Sequence, residues 1–137
     1  MIARAEAKYI RISPTKVRPV SVLFKGKNAK LALAQLELIN KKAAFHLKKV
    51  LHSAVANAKN KGYAEDQLFI SKVIANSGPA LKRYRAASFG RATLIRKRTS
   101  HILVELDSLE KLINKVATKT KAKAKAKPKT KVKKRVK

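Results

Sequence analysis

The chain has 137 residues; 35 are lysine or arginine and seven are aspartate or glutamate, which gives a formal net charge of +28. This length predicts one folded domain. Apolar residues make up 45% of the sequence and aromatic residues only 5%, so we expect a small, aliphatic core. Cysteine is absent, which excludes disulfides, thiolate metal sites and cysteine nucleophiles.

This excess of positive charge predicts a polyanionic partner. Like charges oppose a compact state unless a partner supplies counter-charge, and nucleic acid does so because neutralised phosphates release condensed counterions. An anionic membrane surface and an acidic protein are the alternatives. No apolar run reaches the ~20 residues of a membrane span, and the N-terminus lacks the apolar stretch of a signal peptide. We therefore expect a cytoplasmic protein without a membrane partner; a mature organellar protein would look the same.

The chain opens with a predicted strand and a short helix. Apolar and polar residues alternate from Ala3 to Ile12, with Tyr9 on the same face as the alanines. Ser13 and Pro14 then form an N-cap followed by proline at the first helical position. Gly26 is placed to end this helix.

Two further helices follow in the sequence. Asn28 is predicted to cap the second, which runs to about Ile39 and carries so few polar residues that we expect burial on more than one side. Asn40 is predicted to cap the third, which spans about 41–61. Its apolar stripe consists of Ala44, Leu47, Leu51, Ala54, Val55 and Ala58.

Two predicted strands, Gln67 to Asn76 and Ser100 to Asp107, flank a basic stretch with Gly90 near its middle. The simplest geometry is an extended β-hairpin over about residues 78–102, with its base in the sheet and its tip projecting. Arms of about twelve residues would carry the tip roughly 35–40 Å at 3.3 Å per residue.

The C-terminal segment differs in composition from the rest. Between Lys115 and Lys137 there are twelve basic residues and no acids, and lysine occupies every second position from Lys119 to Lys133. Like charges at this density do not fold alone. We therefore predict a globular domain over 1–108 and a disordered, lysine-rich tail over 109–137.

The predicted hairpin carries seven cations between Lys82 and Arg98 and no acid. Arginine binds phosphate oxygens with two parallel hydrogen bonds and lysine acts as a point charge. Aromatic side chains in such a setting can stack on exposed bases. A hairpin that is charged only for solubility is the alternative, but surface hairpins normally mix both signs. The predicted RNA-binding residues here are Lys82, Arg83, Tyr84, Arg85, Arg91, Arg96, Lys97 and Arg98.

The predicted tip is narrow, because small residues surround the Gly90–Arg91 turn and would let the backbone approach a surface or pass a constriction. It comprises Ala87, Ser88, Phe89, Gly90, Arg91 and Ala92. A second basic cluster surrounds the Ser13–Pro14 turn, where a helix N-terminus also favours anions. It comprises Lys8, Arg11, Lys16 and Arg18.

Catalytic and metal-binding functions have little support in the sequence. His46 and His52 are six residues apart and do not share a helix face, and His101 at a strand start suits a structural hydrogen bond. The seven acids are scattered, whereas metal sites need clustered ligands. We predict neither an enzyme nor a bound metal or cofactor.

Four stretches resemble the family of large-ribosomal-subunit protein twenty-two in its bacterial type. "YIRISPTKVRPV" (9–20) resembles the family's strand–turn–helix opening and "KVLHSAVANAKN" (49–60) its long helix. "GPALKRYR" (78–85) and "GRATLIRKRTSHI" (90–102) resemble the two arms of its extended hairpin. The likeness covers roughly residues 1–108.

The resemblance implies an α/β (α+β) fold with three helices on a small three-stranded antiparallel sheet and a protruding hairpin. It implies a structural protein of the large subunit that binds large-subunit ribosomal RNA and supports its assembly. The hairpin would line the nascent-peptide exit tunnel near ribosomal protein four and meet the nascent peptide transiently. Bacterial and organellar ribosomes both fit.

The chain departs from the family at the tip, where Ala86 to Phe89 replace the usual proline and further arginines. The tail past Leu109 is not part of the family core. An alternative function, a DNA-compacting architectural protein, would act through that tail.

Overall fold

The computed structural model describes residues 1–108 and has three helices and five strands. The helices are α1 (Pro14–Val22), α2 (Ala29–Leu38) and α3 (Lys42–Lys59). The strands are β1 (Ala3–Ile10), β2 (Leu68–Ser77), β3 (Leu81–Ala86), β4 (Ala92–Lys97) and β5 (Ser100–Ser108). The predicted α+β class, with helices packed on an antiparallel sheet, is confirmed. The predictions for 109–137 lie outside the described residues.

The main sheet has three antiparallel strands in the order β1-β5-β2, so the last strand of the chain is central. Every second residue of β5 points to the helices: Ile102, Val104 and Leu106 are buried, as the alternation predicts. Burying a side chain of this size stabilises the fold by about 1.5–3 kcal/mol. The predicted α3 stripe packs into the same core. The sheet and helices therefore fold around one aliphatic core.

The first strand does not keep its predicted alternation to the end. Ala3 and Ala5 are buried, but Tyr9 is 66% exposed and has a positive φ of 56°. The register with β5 shifts between Ala7 and Ile10, as at a β-bulge. The backbone N–H of Tyr9 donates to Nδ1 of His101 at 3.1 Å, which confirms the structural hydrogen bond predicted for His101. The bulge lies within β1, because Ile10 pairs with Ser100 beyond it.

The burial of α2 and the N-cap of α3 differ from the sequence prediction. The Asn28 side chain accepts a hydrogen bond from the Lys30 N–H, so it caps α2 as predicted. However, α2 buries only one face, because Leu31 and Leu38 are 62% and 86% exposed. The N-cap of α3 is Lys41 rather than Asn40, and it makes no side-chain cap hydrogen bond. The predicted two-sided burial of α2 was therefore wrong.

The strands β3 and β4 form a separate two-stranded sheet, which we call the finger (residues 81–97); the rest of 1–108 is the body. Each finger strand has six residues, so the regular arms are half as long as expected and span about 20 Å at 3.3–3.4 Å per residue. Of the paired finger residues, Ile95 alone is half-buried and the others are exposed. The hairpin itself, predicted from the flanking strands, is present.

A close backbone approach joins the finger to the body. The N–H of Gly78 donates to the carbonyl of Thr99 at 3.0 Å, and the Thr99 hydroxyl donates to the carbonyl of Pro79 at 2.6 Å. A Cβ on Gly78 would lie 2.5 Å from Oγ1 of Thr99, so no larger residue fits here without a shift. These hydrogen bonds hold the two arms of the hairpin together at the base of the finger, where strand pairing is interrupted between the main sheet and the finger.

Candidate nucleic-acid interface

An open groove of about 870 Å³ lies where the finger leaves the body. It lies between the turn before α1, the start of α3 and the end of β4. Isoleucine, valine, proline and alanine side chains also line it, and none of the lining residues is acidic. We call it the basic groove. Its seven cationic residues are Arg11, Lys16, Lys41, Lys42, Arg96, Lys97 and Arg98.

Two helices begin at this groove. Ser13 precedes α1 and Lys41 precedes α3, and neither residue caps its helix with a side-chain hydrogen bond. The first N–H groups of a helix carry the positive end of the helix dipole and generally lack intrahelical partners. In α1, Pro14 has no N–H and the N–H of Lys16 donates to the carbonyl of Ser13 at 3.0 Å, so the dipole is the main contribution there. Neither helix has an acidic residue in its first turn. Both helix ends therefore add to the positive potential of the cationic side chains.

Four acidic residues of the body pair with cations that do not line the groove. Glu37 accepts from Lys48 at 2.8 Å, and this ammonium lowers the pKa of the Glu37 carboxyl. Glu65 pairs with Lys59 at 2.7 Å and Asp66 with Lys30 at 3.1 Å. Asp107 receives the N-terminal ammonium of Met1 at 3.1 Å. None of these acids lines the groove, which therefore keeps its positive charge.

The finger presents cations on both faces. Paired residues of an antiparallel ribbon share a face, so Lys82 and Arg96 lie on one side, and Arg83, Arg85 and Lys97 on the other. Lys82 lies directly opposite Arg96, an arrangement of like charges that destabilises an isolated sheet. Charge on both faces suits a site enclosed by anions better than one flat anionic surface.

The tip is a tight turn closed by its own backbone. The N–H of Ala87 donates to the carbonyl of Arg91 at 2.8 Å, and the N–H of Arg91 donates to that of Ser88 at 3.3 Å. Phe89 and Gly90 both have positive φ, at 57° and 67°. All the residues from Ala87 to Ala92 are exposed.

The structure brings together part of the predicted set of RNA-binding residues. Arg11, Lys16 and the three cations of 96–98 meet in the basic groove. Lys82, Tyr84, Arg85 and Arg91 are exposed along the finger.

Three predicted residues lie differently. Lys8 is exposed on β1 and does not line the groove. The Arg18 guanidinium donates to the carbonyl of Ala75 at 3.3 Å, which directs it towards β2. Arg83 donates to the carbonyl of Lys82 at 2.8 Å, along its own strand.

Sequence reasoning did not include Lys41 and Lys42 in the predicted set. Both stand at the start of a helix, where the dipole disfavours cations. Two consecutive lysines at a helix start are therefore unusual, and this signal in the sequence could have indicated an anion-binding site. His46, one turn further along α3, has its pKa lowered by burial and then by Lys42 and Lys49, so it senses charge at the edge of the groove.

Within residues 1–108, no group of three or more histidine, cysteine or acidic side chains is arranged to hold a metal ion. In the same range, no helix is long and apolar enough to cross a membrane.

Comparison with known proteins gives a consistent result. The family model described as "Ribosomal protein L22p/L17e" matches residues 5–107. The chain is 50% identical over 105 residues to the large ribosomal subunit protein uL22 of Halothermothrix orenii, an alignment that covers 76% of this chain and 93% of the relative. It is 52% identical over 104 residues to uL22 of Sulfurihydrogenibium sp., covering 76% and 90%. It is 49% identical over 108 residues to uL22 of Rubrobacter xylanophilus, covering 78% and 85%.

Proposed function

Because the chain belongs to the ribosomal protein L22p/L17e family, we propose that its basic groove and finger bind large-subunit ribosomal RNA through the phosphate backbone. The protein is a structural, non-enzymatic constituent of the large ribosomal subunit. As a bacterial-type family member it belongs to the cytoplasmic ribosome. The RNA contacts of the individual groove and finger residues are likewise proposed.

One observation carries the proposal: seven cations and two uncapped helix N-termini converge on one acid-free groove. Backbone N–H groups at a helix start bind phosphate oxygens, and arginine and lysine add charge-assisted hydrogen bonds. Contacts of this kind fix position and register but do not read sequence. The groove therefore grips the RNA backbone at the point from which the finger extends.

The finger supports a second element of the proposal, insertion into the RNA. Cations on both faces, opposed like charges and small residues at the tip favour a ribbon that is surrounded by phosphates. We propose that it extends along the exit tunnel for the nascent peptide, with its tip on the tunnel wall. Neighbouring large-subunit proteins, ribosomal protein four among them, and the nascent peptide are the proposed contacts there.

Matched triple variants test whether the groove binds the RNA. Lys41→Gln, Lys42→Gln and Lys97→Gln remove three groove cations. The slope of log affinity for bacterial large-subunit rRNA against log salt should become shallower by about 2 to 3, at about 0.7–0.9 per phosphate contact. The fold should persist, because a helix start gains from losing lysines.

The control triple removes the same charge from lysines that do not line the groove: Lys30→Gln, Lys48→Gln and Lys59→Gln. These lysines form the exposed ion pairs with acids, which contribute little to stability. Their loss should leave the salt slope nearly unchanged. If both triples weakened the RNA affinity equally, net charge alone would drive binding, and the proposal that RNA binds in the basic groove would be contradicted. Equal affinity for duplex DNA would support the DNA-compacting alternative.

A further inference from the structure

Phe89 at the tip of the finger has two features that are unfavourable in the isolated protein. Its φ of 57° and ψ of 36° place it in the left-handed helical region, where a bulky side chain is an outlier. Its side chain is 93% exposed, more than any other large hydrophobic residue in 1–108. Strain of this kind persists where the surroundings, or a function, require it.

The turn does not depend on the phenyl ring. It is closed by backbone hydrogen bonds between Ala87, Ser88 and Arg91. Glycine or asparagine adopts a positive φ at lower cost, so the turn alone would favour either of them. The free energy lost by placing phenylalanine here is therefore not recovered in the turn.

Phe45, an exposed phenylalanine of the body, differs in this respect. Phe45 on α3 is 56% exposed, but the ammonium of Lys49 lies 4.4 Å from its ring centroid. The ring of His46 packs against it edge-on, with 5.6 Å between the centroids. Among the described residues, no ring or cation covers Phe89 in this way. Its ring is available to a partner.

We propose that the Phe89 ring stacks on an unpaired nucleobase of the RNA that surrounds the finger, an inference that rests on the proposed function. Every base has a π face and stacks on aromatic side chains, with little regard to its identity. The base must be unpaired and splayed out, because bases within a helix already stack on their neighbours. The exposed Arg85 and Arg91, four residues before and two residues after Phe89 in the chain, favour RNA over a protein surface, since phosphates would neutralise both charges.

Substitutions at Phe89 separate stacking from charge and from backbone strain. The full chain is titrated against transcribed bacterial large-subunit rRNA at several salt concentrations, and the variants are compared at the same concentration. Phe89→Gly and Phe89→Leu should each weaken binding about tenfold, and Phe89→Trp should stay within about twofold of the original. The salt slope should not change, because no cation is lost. Phe89→Gly relieves the strained φ and Phe89→Leu keeps a large side chain there, so a loss of affinity shared by both variants comes from the missing ring and not from the turn.

Chemical probing of the bound RNA identifies the base. One unpaired nucleotide should be protected by the original protein and by Phe89→Trp, and exposed with Phe89→Gly. Phe45→Leu serves as the control and should change neither affinity nor protection. Unchanged binding and protection with Phe89→Gly would overturn the stacking, as would crosslinks from position 89 that reach only protein in the assembled subunit. Failure of the original protein to bind the RNA would instead overturn the proposed function.

Discussion

The body and the finger satisfy opposite physical requirements. The body buries an aliphatic core from three helices and a sheet, and it pairs Glu37, Glu65 and Asp66 with lysines. The finger has no acid, exposes nearly all its side chains and sets Lys82 opposite Arg96. A two-stranded hairpin is marginal in water by itself. The difference indicates that the body is stabilised by its own contacts, whereas the finger has few contacts with the body and carries charge that no acid of its own neutralises.

Deleting the finger should give the largest effect on RNA binding. Residues 81–97 are replaced by a short Gly–Ser link between Ala80 and Arg98, a change that removes six cations. At about 0.7–0.9 per contact, the salt slope for rRNA should become shallower by about 4 to 5. The body should remain cooperative, with its free energy of unfolding changed by no more than about 1 kcal/mol. Filter binding measures the RNA affinity of the shortened protein. Full affinity would contradict the proposal that the finger binds RNA.

A pair of matched leucine substitutions sharpens the same contrast in stability. Leu106 is fully buried in the centre of the body and Leu94 is 40% exposed on the finger. Leu106→Ala should lower the free energy of unfolding by about 2–5 kcal/mol, because it leaves a cavity in a packed core. Leu94→Ala should lower it by no more than about 0.5 kcal/mol. Urea denaturation followed by circular dichroism measures both, and similar losses would show that body and finger unfold as one unit.

The smallest expected effect concerns His46, whose pKa is lowered by burial first and by Lys42 and Lys49 second. The unfolded chain binds this proton more readily than the folded protein. The free energy that neutral His46 contributes to folding is therefore fully present above the ordinary histidine pKa, and it is lost as the pH falls from that value through the lowered pKa. RNA phosphates at Lys42 should raise the His46 pKa part of the way back, because burial remains.

An NMR titration of the His46 ring with and without RNA measures this shift. Lys42→Gln in the free protein should raise the same pKa without RNA. Identical titration curves in the free and bound states would place the RNA away from this edge of the groove.

The elements whose signals are local could be predicted from the sequence. The strand alternation of Ile102, Val104 and Leu106, the α3 stripe and the Asn28 cap each depend on residues that are close in the chain. The predicted hairpin followed from two strands that flank an acid-free stretch. These predictions are confirmed by burial and pairing in the structure.

The features that sequence reasoning missed depend on tertiary contacts. At the bulge, the N–H of Tyr9 donates to His101, which is 92 residues away in the chain. The exposure of Leu31 and Leu38 follows from which face of α2 meets α3 and the sheet. Lys41 and Lys42 join Arg96, Lys97 and Arg98 only because α3 begins beside the end of β4. A pattern within one element does not show which other element it will meet.

The central position of β5 has a mechanical consequence. The return arm of the finger continues into β5, which is hydrogen-bonded to β1 on one side and β2 on the other. In antiparallel sheets these bonds run perpendicular to the strands. Tension applied at the fingertip along the strand axis therefore loads many bonds in shear at once instead of peeling them open one by one. The finger is therefore attached to the body in a way that resists force along its length.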